Sequence, residues 1–120
     1  MRKLTNGRWY SEEYWTFQIG DELSDKYRLD VSGYSGDEGN LLIYPPHAPR
    51  YHNGKAFTAY DRDNDAAPRN CATMRYGGWW FHSCTSVCLA CNPPYHLSYV
   101  SLRVADELAE SRMMLRFTEL

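Results

Sequence analysis

The chain has 120 residues, with 13 basic and 15 acidic side chains, a formal net charge of −2 and no run of like charges. That length fits one domain, which buries roughly two thirds of the surface its unfolded form exposes. The balanced charge excludes a phosphate-tracking face and a polybasic membrane anchor, and no apolar stretch approaches membrane-spanning length, so neither nucleic acid nor membrane insertion is expected.

Residues 1–8 have the positive start of a signal peptide but no apolar segment after it, so no export signal is read there. Residues 14–19 alternate large apolar with polar side chains and stop at Gly20-Asp21, the pattern of a half-buried strand followed by a turn. Residues 27–31 repeat the alternation. The two runs are expected to pair as an antiparallel hairpin across residues 20–26, with Trp15, Phe17, Ile19, Tyr27, Leu29 and Val31 on the core face. From 33 to 68 the chain is rich in Gly, Pro, Asp and Asn, broken by the short apolar run Leu41, Leu42, Ile43, Tyr44; this reads as ordered loop. A loop so long needs something besides a core to hold it. The good helix formers between 101 and 117, with an imperfect apolar stripe at Ala105, Leu108, Ala109 and Leu115, predict a terminal helix.

Asp61, Asp63 and Asp65 recur two residues apart, so in a turning loop they can converge on a hard cation that takes six to eight oxygens, calcium above all. An EF-hand is excluded, because its required Gly and Glu positions, counted from Asp61, are Ala66 and Ala72. The bland alternative is a solvated turn whose carboxylates cap local N–H groups. Cys71, Cys84, Cys88 and Cys91 form either a local disulfide framework or a metal site. The Cys88/Cys91 pair, with His82 and His96 nearby, admits a disulfide or free thiols, a zinc site, or a redox dithiol. Trp79-Trp80 is either a ligand platform or core. No nucleophile–base arrangement or phosphate-binding glycine loop is seen, which argues against an enzyme.

Taken in order, Tyr-Arg-Leu-Asp-Val-Ser-Gly-Tyr-Ser-Gly at 27–36, Tyr-His-Asn-Gly-Lys-Ala-Phe at 51–57, Asp-Arg-Asp-Asn-Asp at 61–65, Asn70-Cys71-Ala72 and Gly78-Trp79-Trp80 before Cys84 resemble the fibrinogen C-terminal domain family, over about residues 10–84. The resemblance implies an α+β fold: a short antiparallel sheet beside a long calcium- and disulfide-stabilised loop region. It implies a single partial domain, family-like over 10–97 with a divergent tail at 98–120, and lacking the family's N-terminal subdomain. It also implies a structural calcium ion held by Asp63, Asp65 and the main-chain carbonyls of Ala67 and Arg69. A disulfide between Cys71 and Cys84 and a secreted, extracellular setting follow likewise. In lectin members a cis peptide, here Ser83-Cys84, shapes a pocket for an acetyl group; Tyr76, His82, Ser83, Cys84 and Thr85 match that region. Three departures stand out: Thr85 replaces the pocket histidine, Cys88 and Cys91 are additional, and the tail has no Trp. The leading expectation is therefore lectin-like binding of acetylated carbohydrate. The alternatives are a receptor- or matrix-binding module of angiopoietin or tenascin type and a truncated fragment with no activity, any oligomer using regions absent here.

Overall fold

The computed structural model describes residues 1–37, 39–43, 51–85, 87–98 and 101–117. Tyr44, with the 44–50 part of the long loop, lies outside them, as does the side chain of His96. Two antiparallel sheets flank a region of loops. The first pairs β2 (Glu12–Ile19) with β3 (Leu29–Gly36), with Phe17 opposite Val31 and Ile19 opposite Leu29. The second has the order β1–β6–β5–β4, from β1 (Arg2–Lys3), β6 (Ser101–Glu110), β5 (Tyr95–Ser98) and β4 (Val87–Cys88).

The expected hairpin forms, but its connection holds a helical turn, α1 (Glu22–Asp25). The Asp21 carboxylate caps it by accepting the Leu23 and Ser24 N–H groups, at 2.9 and 3.1 Å, as short acceptors do at helix starts. Its core face also differs from the alternation. Leu29 and Val31 are buried and Phe17 packs on the core, whereas Trp15 is 80% exposed and Ile19 and Tyr27 lie largely open. Gly33, where a Cβ would meet Trp15 Cβ at 2.7 Å, is held at φ +71°, a conformation that costs a side-chain-bearing residue. On the other face Tyr14 is half-buried, and its hydroxyl donates to Asn40 Oδ1 (2.9 Å) and accepts from Leu42 N (3.2 Å).

The terminal helix is not formed: residues 101–110 are strand and 111–117 have no regular structure. Helix propensity amounts to tenths of a kcal/mol per residue, and the cross-strand bonds to β5 and β1 override it. Leu108, buried between exposed Glu107 and Ala109, shows the two-residue period of a strand, and its N–H bonds Pro94 O.

The core gathers Leu29, Val31 and Leu41 against Trp79, Trp80, Phe81, Val87 and the cysteines. Trp80 meets Phe17, Phe57 and Trp79 edge-on, at 6.3, 5.3 and 5.1 Å, and its indole N–H bonds Tyr27 O. The tryptophan pair is core, not a ligand platform. Cys71–Cys84 and Cys88–Cys91 are both disulfides. Zinc coordination needs thiolates, so pairing of Cys88 with Cys91 removes the zinc and free-thiol alternatives. Gly77 lets the chain pass against the Ala90 carbonyl, where any Cβ would collide.

Candidate functional site

The loop after Phe57 is built by side chains standing in for a ladder. Thr58 and Trp79 exchange backbone bonds, at 2.9 and 3.2 Å. Asn64 then turns the chain, its N–H on Thr58 Oγ1 (3.0 Å) and its amide Nδ2 on Phe57 O (2.8 Å). Asn70 does two things at once: Nδ2 donates to Ala59 O and Tyr60 O, while Oδ1 caps α2 (Cys71–Arg75) by accepting from Ala72 N at 2.8 Å.

Between these asparagines lie the two carboxylates. Asp63 Oδ1 accepts the Asp65 N–H at 3.1 Å. Asp65 in turn accepts the Ala67 N–H on Oδ1 and the Cys71 N–H on Oδ2, each at 2.9 Å. Burial holds the Asp65 carboxyl above its ordinary range, and the adjacent Asp63 charge pushes in the same direction, while the two backbone N–H groups oppose them. Two carboxylates so close raise each other's cost of ionising, and a cation between them removes that cost.

Calcium suits this set of hard oxygen donors. No backbone N–H among the described residues donates to the carbonyls of Ala67 and Arg69, which leaves those oxygens open to a cation. No three His, Cys, Asp or Glu side chains cluster among the described residues; main-chain and water oxygens would therefore make up most of the coordination. Asp61 is exposed in the neighbouring turn, where Arg62 N and O bond Ala59.

The loop is fastened to the residues expected to form a pocket. Ala66 N–H donates to His82 O (2.9 Å), His82 and Cys84 form a bridge, and the Cys71–Cys84 disulfide ties that turn to α2. His82 stacks at a tilt on Tyr51, 5.6 Å away; burial lowers its pKa and Lys55 adds to the shift, against Asp65. Ser83 is half-buried and its bond to Cys84 is trans, in place of the expected cis bond; the cis peptide lies at Asn92–Pro93, and Cys84 has φ +55°. Tyr76 caps the far end of α2 and is 75% exposed. His82 and Cys84 thus adjoin the acidic loop, while Tyr76 is an exposed helix cap and Thr85 is withdrawn into the interior.

Thr85 is sealed against His52, which the sequence shows only as one member of the 51–57 motif. His52 Nδ1 lies 3.0 Å from the Trp80 carbonyl, to which it must donate, so Nε2 is the acceptor facing Thr85 Oγ1 at 2.8 Å. The one hydroxyl proton is shared between Nε2 and the Val87 carbonyl, and the hydroxyl oxygen accepts the Val87 N–H at 3.1 Å. Desolvation pushes the His52 pKa down to about 4, with the Trp80 carbonyl acting the other way. A hydroxyl beside an imidazole has the form of a nucleophile and base, but both side chains are buried and no substrate can reach them.

A family model described as fibrinogen beta and gamma chains, C-terminal globular domain, matches residues 2–104. The chain is similar to angiopoietin-related protein 7 of Bos taurus, 45% identical over 73 residues that make up 61% of this chain and 19% of the relative. It is similar to tenascin of Gallus gallus, 41% identical over 74 residues, 62% of this chain and 4% of that one. Among solved structures it resembles the fibrinogen-like globe domain of human ANGPTL2, with a TM-score of 0.64 and 34% identity, over 80% of this chain and 39% of that chain. It also resembles lamprey fibrin D-dimer complexed with the peptide ligand Gly-His-Arg-Pro-amide, with a TM-score of 0.63 and 31% identity, over 77% and 30%. The chain therefore spans well under half the length of each.

Proposed function

The chain belongs to the C-terminal globular domain family of the fibrinogen beta and gamma chains, and we propose that it is a protein-binding module of angiopoietin and tenascin type, with a calcium-held loop and no enzymatic activity. The observation that carries this reading is its kinship with angiopoietin-related and tenascin chains; a fibrin neighbour complexed with a peptide points the same way. An acetylated sugar is less well served, because Thr85 is closed off by His52 and both tryptophans are committed to the core. The two disulfides fit an oxidising, extracellular setting.

Calcium would be structural, bound by Asp63, Asp65 and the carbonyls of Ala67 and Arg69. With two carboxylates, its affinity belongs with extracellular modules, Kd about 10⁻⁴ M. At about 1 mM calcium that contributes about 1.4 kcal/mol, which raises Tm by about 5 °C. A thermal melt with calcium and with chelator, beside Asp63→Ala/Asp65→Ala, should show this rise in the parent and not in the variant; equal melts in the parent would remove calcium from the reading. For the partner, labelled protein should bind cells or deposited matrix, lose binding after surface trypsin treatment and keep it in N-acetylglucosamine. Displacement by the sugar would replace the protein partner with a carbohydrate.

A further inference from the structure

Asn6 opens an Asn-Gly pair in the turn that brings Trp9 back to bridge Arg2. Residues 4–9 are all exposed, and Gly7 sits at φ +68° with open space where a Cβ would be. The Asn6 carboxamide is held at both ends. Its Oδ1 accepts the Arg8 N–H at 2.9 Å, and its Nδ2 donates to the Tyr10 hydroxyl at 3.0 Å.

From this arrangement we infer that Asn6 is a site of spontaneous deamidation. The Gly7 amide nitrogen, its proton lost to a solvent base, attacks Asn6 Cγ, and the absence of a side chain at 7 leaves the approach open. The new N–C bond forms as negative charge gathers on Oδ1, where the Arg8 N–H already points; a backbone donor so placed stabilises an oxyanion. The Cγ–Nδ2 bond then breaks. Once tetrahedral, the departing nitrogen carries a basic lone pair; the Tyr10 hydroxyl, which accepts from Nδ2 in the resting turn, rotates to give it a proton that solvent restores, and the nitrogen leaves as ammonia. Water opens the resulting succinimide at either carbonyl, giving an aspartyl or isoaspartyl residue at position 6. The isoaspartyl product lengthens the backbone by one carbon within the turn closed by Lys3 N to Arg8 O and Gly7 N to Lys3 O.

The chain carries its own control. Asn53-Gly54 has the same chemistry, but Asn53 Oδ1 accepts the Val31 N–H at 2.8 Å and Gly54 N donates to Leu29 O at 2.8 Å. Both strand partners are buried, so attack there requires β3 to open. At Gly7 the one bond to be released, to Lys3 O, closes an exposed turn.

The test is incubation of the oxidised full chain at mildly alkaline pH, followed by peptide mapping and isoaspartyl methylation. Position 6 should convert at least about tenfold faster than position 53 in the folded protein, a gap set by the difference in local opening, and the gap should close in denaturant. Equal rates in the folded protein, or conversion at 53 first, would overturn the assignment. Tyr10→Phe should slow position 6 and leave 53 unchanged; an unaltered rate would remove the hydroxyl from the chemistry.

Discussion

Across the two eight-residue strands β2 and β3, only Leu29 and Val31 are buried. Residues 51–91, with one helical turn and a two-residue strand among their described elements, hold His52, Thr58, Cys71, Trp79, Trp80, Phe81 and Cys88 fully or almost fully inside. Regular backbone pairing and burial are thus separated in this molecule. In the hairpin the ladder satisfies the backbone locally, and side chains such as Trp15 can face solvent. In the loop frame the buried backbone has few ladder partners, and each polar group must be met by a side chain: Asn64, Asp65, Asn70 and His52 do this. The frame's core therefore depends on specific polar residues and crosslinks, which is a stricter requirement than apolar patterning.

The sharpest contrast is between two tryptophans. Trp80→Ala should cost about 3–5 kcal/mol in urea unfolding, since it empties a site packed by Phe17, Phe57 and Trp79. Trp15→Ala should stay within about 0.5 kcal/mol. Comparable losses would mean that β2 is covered as deeply as the frame.

His52 makes the frame sensitive to acid. Its folded pKa of about 4 lies below the ordinary 6.5, so the unfolded chain binds the extra proton first. Stability is then fully present above about pH 6.5 and falls as pH drops toward 4, by up to about 3 kcal/mol. Asp65 works in the opposite sense: its raised pKa favours the protonated folded form, and that contribution is lost as pH rises through the folded pKa. Urea midpoints across this range should fall in the parent and flatten in His52→Gln, even if the variant starts less stable; parallel slopes would detach the acid sensitivity from His52.

The crosslinks can be ranked by the loops they close. Replacing Cys71 and Cys84 by Ala removes a loop of separation 13 and should cost about 3 kcal/mol, whereas replacing Cys88 and Cys91, separation 3, should cost about 1.5 kcal/mol in the chain-entropy model. A reversed order would show that the second bond does more than restrict the unfolded chain.

The hairpin was legible because period-2 patterning is local: residues 14–19 and 27–31 pair as their alternation suggests. The acidic loop was legible as spaced carboxylates, and the order of motifs pointed to the family. Its asparagines were not singled out, although Asn70 directly before Cys71 carries a helix-cap signal. The Cys71–Cys84 pairing came from resemblance, because four cysteines alone admit several connectivities.

Sequence alone thus determined the family and the hairpin, set by an ordered motif series and by short-range spacing. Tertiary structure decided what depends on distant partners. Strand pairing to β1 and β5 turned a helix-favouring tail into β6. Trp15 came out exposed while Leu29 and Val31 were buried, and His52, 33 residues from Thr85, closed the expected pocket residue inside the core. A side chain's intrinsic preference is worth tenths of a kcal/mol, whereas a buried hydrogen bond or packed ring is worth about one or more, so these distant contacts prevail.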